Sequence, residues 1–108
     1  MSSYLLIETR DPFESNGFAQ RCELAAALAG DGANVTLFLA ENGVLAARAA
    51  ARVHGLDQLI RLGVPVLADE FALRERGIAV TALANEVKSA TLHALVEKLG
   101  TGAKAFWN

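Results

Sequence analysis

GVPVLADEFALRERGI, residues 63–78, is the stretch whose reading decides the fold. Gly63 opens it, and Val64 to Ala68 form an apolar run of strand length with no polar alternation. Such a run reads as a strand buried on both faces, which is the habit of parallel sheets. It stops at two carboxylates, Asp69 and Glu70. A short amphipathic segment, Glu70 to Arg76, then closes at Gly77. In open α/β sheets a strand that ends at the mouth of a helix is where ligands and catalytic groups gather. The competing reading is local: Asp69 caps the helix and Glu70 complements its dipole, a cap that contributes about 1 kcal/mol.

The same grammar extends both ways. Tyr4 to Glu8 (YLLIE) and Val35 to Ala40 (VTLFLA) read as two more buried strands. Between them, TRDPFESN at 9–16 is turn chemistry, with Asp11 before Pro12 and Asn16 before Gly17. Phe18, Cys22, Ala25, Leu28 and Ala29 then recur at helical spacing until Gly30 and Gly32 stop the helix. After ENG at 41–43, the Ala-rich VLAARAAARV predicts a strong helix, interrupted by His54-Gly55 and resumed over LDQLIRLG. Beyond Gly77 two segments compete for the fourth strand, IAVTAL and EVK at 86–88. Ser89 has N-cap chemistry, and Leu92, Leu95, Val96 and Leu99 stripe a last helix ended by Gly100. AKAFW at 103–107 closes the alternation as a fifth strand.

Five strands separated by helices predict one three-layer α/β domain over residues 1–108. Its sheet is mostly parallel, with right-handed crossovers. The expected order is the flavodoxin-like 2-1-3-4-5. The carboxyl edge of that sheet would collect Thr9, Arg10, Asp11, Glu41, Asn42, Gly43, Asp69, Glu70 and Ser89, with Arg10, Asn42, Gly43, Asp69, Glu70 and Ser89 as the candidate ligand contacts.

Composition narrows the classes. Apolar residues make up 53% of the 108 and charged residues 20%, with net charge −2. That is a core-forming chain, not a disordered one. No basic face interleaved with aromatics is present, so nucleic acid is not an expected partner. No apolar stretch is long enough for a membrane span, and the acidic start does not resemble a signal peptide. The expected compartment is the cytoplasm. The apolar excess in so small a chain points to oligomerisation.

Four segments together resemble the DsrE/DsrF-like sulfur-relay family. They are YLLIETRDPFESNGFAQRCELAAALAGDGANVTLFL, the turn LAENGV, the pair GVPV and ALRERGI, and the terminal SATLHALVEKLGTGAKAFW. The resemblance covers nearly the whole chain and favours EVK as the fourth strand. It implies a DsrE/F-like fold that assembles as a dimer, trimer or hexamer, or with related DsrE-like subunits. The family's sulfur-accepting cysteine lies six residues after the Gly of Gly-Val and eight before the Gly of Arg-Gly. Counting from Gly63 and from Gly77 gives residue 69 both times, and residue 69 is Asp. A carboxylate cannot carry a persulfide. The resemblance therefore implies a non-catalytic subunit with no cofactor, with the strand edge left as the place for a small ligand.

The alternative is a small enzyme or carrier. It would use Cys22 for a persulfide, or Asp69 and Glu70 for metal-assisted or acid/base work with Asp11 and Glu41. Cys22 lies among the residues the first helix should bury, which favours a small core hydrophobe. His54 and His93 lack ligand spacing. A receiver-domain reading of Asp11, Asp69, Ser89 and Lys104 fails in detail. The first strand ends in ETRDP rather than adjacent acids, and Lys104 lies before or within the last strand.

Overall fold

The computed structural model describes residues 2–14 and 16–107; Met1, Ser15 and Asn108 lie outside them. The chain runs β1 (Ser3–Glu8), α1 (Gly17–Gly30), β2 (Asn34–Leu39), two 3-10 turns (Glu41–Ala47 and Ala49–Ala51) and α2 (His54–Arg61). It continues through β3 (Val66–Asp69), α3 (Glu70–Glu75), a 3-10 turn (Val80–Ala82), β4 (Val87–Ala90), α4 (Leu92–Gly100) and β5 (Lys104–Trp107). All five strands pair in parallel in one sheet.

The expected α/β layering holds, but the strand order is 4-3-2-1-5 and not 2-1-3-4-5. Three successive steps, β1 to β4, move in one direction, and the chain turns back once to lay β5 beside β1. Right-handed crossovers then place the first three connections on one face and the last on the other. The two cores match that rule. Phe18, Cys22 and Ala25 of α1, Leu56 and Leu59 of α2, and Ala72 and Leu73 of α3 share one core with Leu6, Leu37 and Val66. Leu95 of α4 packs on the opposite face against Leu5, Ile7 and Phe38. A buried strand looks the same whichever edge it joins, so the strand runs carried no record of the order.

The Ala-rich segment does not form the expected long helix. Arg48 is extended and pairs with Leu83 in an isolated antiparallel bridge, and Ala47 O accepts from Ala84 N at 2.7 Å. Arg52 then turns left-handed at φ 50°. Alanine's preference over ordinary residues is at most about 0.7 kcal/mol each, which tertiary pairing overrides. His54 and Gly55 begin α2 instead of interrupting a helix. Gly55 sits against α1: a methyl group there would lie 3.0 Å from Cys22 Cβ and 3.3 Å from Sγ.

Of the two candidates for the fourth strand, the later one forms, as Val87–Ala90, with 79–83 in the connection. Ser89 therefore lies within β4, opposite Ala68, and does not cap α4. Thr91 takes that role, its Oγ1 accepting from Ala94 N at 3.3 Å. Among the described residues no helix is long and apolar enough to cross a membrane.

Candidate site at the carboxyl edge

β3 delivers Asp69 to the sheet's carboxyl edge at 7% exposure. The residue is the N-cap of α3, and its Oδ2 accepts from Ala72 N at 3.2 Å. The capping reading of the sequence is thus the geometry observed. Asp69 also lines a cavity of ≈ 440 Å³ that opens at this edge. Capping and cavity lining occur in the same residue because the last residue of a parallel strand is also the first to meet the next helix.

The cavity collects parts of four strand ends. Thr9 follows β1, Ala40 to Asn42 follow β2, Asp69, Phe71 and Ala72 come from the β3–α3 joint, and Trp107 ends β5; Leu92 reaches in from the start of α4. Asn42 is fixed by Arg76, which donates from Nη2 and Nε to Oδ1 at 2.9 and 3.2 Å. Arg76 also donates from Nη1 to Ala72 O at 3.2 Å.

Of the nine residues expected at the edge, Thr9, Glu41, Asn42 and Asp69 line this cavity, and Arg10, Asp11, Gly43, Glu70 and Ser89 do not. Arg10 is exposed, and its backbone N–H donates to Glu8 Oε2 at 3.1 Å. Gly43 is buried, and its amide donates to Ala40 O at 2.8 Å. It is glycine for packing: a Cβ would collide with the Glu8 carbonyl oxygen. Phe71, Glu75, Arg76, Leu92 and Trp107 were not expected as wall residues. Glu75 and Arg76 stood in the marked ALRERGI, and Leu92 and Trp107 in the marked terminal segment, but only as signs of kinship. Trp107 and Leu92 reach the edge because β5 returns beside β1, which strand patterns do not reveal.

The carboxylates do not assemble a metal centre. No group of three or more His, Cys, Asp or Glu placed to hold a metal ion occurs among the described residues. Asp11 folds into its own turn, with Oδ1 accepting from Phe13 N at 2.8 Å. His93 pairs along α4 with Glu97, Nε2 to Oε1 at 2.8 Å, in the open.

Cys22 lies in α1 at 4% exposure, as its place on the helix predicts. Burial pushes the thiol up from its ordinary 9.0 to about 12, and the charges of Glu8 and Glu23 push the same way. A persulfide carrier needs the reverse, an accessible sulfur with a lowered pKa.

The chain is thus a five-stranded parallel α/β domain with an acidic, aromatic-walled cavity at the carboxyl edge of its sheet. Its sequence matches no family model and no curated protein. Its fold is similar to that of solved structures. The ychN protein from E. coli aligns with TM-score 0.91 over 100% of both chains at 22% identity. MTH1491 of Methanobacterium thermoautotrophicum, a protein of unknown function, aligns with TM-score 0.84 over 99% of this chain and 100% of its own, at 14% identity. BT1422 of Bacteroides thetaiotaomicron, a conserved protein of unknown function, aligns with TM-score 0.80 over 99% of this chain and 95% of its own, at 18% identity.

Proposed function

We propose that this chain is a DsrE/DsrF-like subunit of the cytoplasm that does not transfer sulfur and acts by assembly, with copies of itself or with related DsrE-like subunits. The observation that carries the reading is the state of residue 69. Where the family it resembles carries an acceptor thiolate, this chain carries a carboxylate engaged in capping α3. The one cysteine elsewhere is buried, with its thiol held protonated.

Assembly is supported by α4. The helix buries Leu95 alone, while Leu92 is 57%, Val96 61% and Leu99 42% exposed. The apolar stripe that the sequence showed on this helix therefore lies largely outward. An apolar row of this kind on a charged, small domain marks an interaction surface. In this reading a symmetric contact through α4 covers it.

Intact mass after treatment with a small-molecule persulfide donor tests the first part; no added sulfur is expected. Sulfur that appears on the native protein and disappears in Cys22→Ser would establish the carrier alternative instead. Light scattering on the eluting protein tests the second part, with a dimer or larger species expected.

A further inference from the structure

We infer that the carboxyl-edge cavity is a receptor for a small organic cation, an amine joined to an aromatic or apolar body. The cavity's ≈ 440 Å³ lies within the range of small-molecule sites, and its walls combine a few polar groups with apolar surface, as such sites do. Three carboxylates, Glu41, Asp69 and Glu75, line it against one guanidinium, that of Arg76. The guanidinium is turned onto Asn42 Oδ1 and Ala72 O, where it braces the wall.

Asp69 decides the sign. It is nine-tenths buried, and one oxygen, Oδ2, accepts from the α3 backbone. An anion approaching the Ala72 amide meets a fixed carboxylate there. An inorganic cation lacks its ligand set here, because no metal-holding group of three occurs among the described residues. An organic cation needs fewer contacts: a carboxylate for the ammonium, and an aromatic face beside it. Trp107 and Phe71 line the cavity with their rings largely exposed, and an indole face attracts an adjacent cation.

Trp107 is the only tryptophan in the chain, so its fluorescence reports on this cavity directly. The probes are phenethylamine, 3-phenylpropanoate and 2-phenylethanol, which share one ring and differ in the charge of the tail. The amine is expected to change Trp107 emission saturably and to bind roughly tenfold more tightly than the carboxylate or the alcohol, the increment of one charge-assisted hydrogen bond. Asp69→Asn keeps a capping side chain, and Glu41→Gln alters an exposed position, so both variants are expected to fold. Each should weaken the amine by about fivefold or more and leave the alcohol unchanged. Equal or tighter binding of 3-phenylpropanoate would overturn the inference. So would amine binding indifferent to both variants, or no saturable response to the amine up to about 10 mM. The outcome is separable from the proposed function: sulfur loading at Cys22 would refute that reading without touching this titration, and a failed titration leaves the sulfur result standing.

Discussion

Arg76 reaches across 34 residues of sequence to grip Asn42, its Nη2 and Nε both donating to one side-chain oxygen. The contact ties the end of α3 to the turn after β2 and closes one wall of the edge cavity. Removing either partner breaks the same bonds. Asn42→Ala and Arg76→Ala should each lower stability by about 1 kcal/mol, and the double variant should cost little more than the Arg76 change alone. Urea denaturation of the four proteins measures this, and full additivity would contradict the coupling.

Asp69 holds α3 at its start. Asp69→Ala should cost about 1 kcal/mol, while Asp69→Asn should cost a few tenths, because asparagine caps as well as aspartate. Asp69→Cys tests kinship more directly. It places a thiol at the strand end where the resembled family carries its acceptor, and treatment with a persulfide donor should add sulfur to this variant and not to the native chain. Equal sulfur on both proteins would contradict the assignment of residue 69.

Cys22 links stability to alkaline pH. Its folded pKa, about 12, stands above its ordinary 9.0, so the folded protein keeps a proton that the unfolded chain releases. The associated stability is fully present below pH 9 and is lost as pH rises from 9 through about 12. Denaturation midpoints should fall across that window, and Cys22→Ala should flatten the fall. Alkylation of Cys22 at pH 8 should be slow in the native protein and fast in denaturant.

Gly43 and Gly30 should respond oppositely to alanine. At Gly43 a methyl group meets the Glu8 carbonyl, and Gly43→Ala should cost about 1–3 kcal/mol or more. At Gly30 nothing lies within 4 Å, so Gly30→Ala should be stabilising by up to about 1 kcal/mol through helix propensity. Thermal melts of both variants give the signs.

On α4, Val96→Glu and Leu99→Glu alter side chains exposed in the single chain. Each should leave the circular dichroism spectrum unchanged, since substitutions at exposed positions stay within about 0.5 kcal/mol. Each should also shift the assembly toward monomer in light scattering. An unchanged mass for the double variant would remove α4 from the interface.

Much of the fold was readable before any coordinates. The uninterrupted apolar runs at Tyr4, Val35 and Val64 announce strands covered on both faces, and the glycines that end α1 and α3 mark those helices to within a residue or two. Residue 69 was readable too, because the apolar run from Val64 stops there. The Ala-rich segment was misread because its conformation is set by partners, Leu83 and Ala84, thirty-five and thirty-seven residues away from the Arg48 and Ala47 they bond. The α4 stripe was readable as an apolar face, but periodicity does not report what covers such a face.

By itself the sequence determined the α/β alternation, the buried place of Cys22 and the carboxylate at residue 69, because these follow from local pattern and spacing. The strand order, the Arg76–Asn42 brace and the entry of Leu92 and Trp107 into the cavity were decided only in the tertiary structure. Each depends on which edge of the sheet a strand joins. That choice is made by long-range packing between surfaces whose residue patterns are alike, so no short stretch of chain records it.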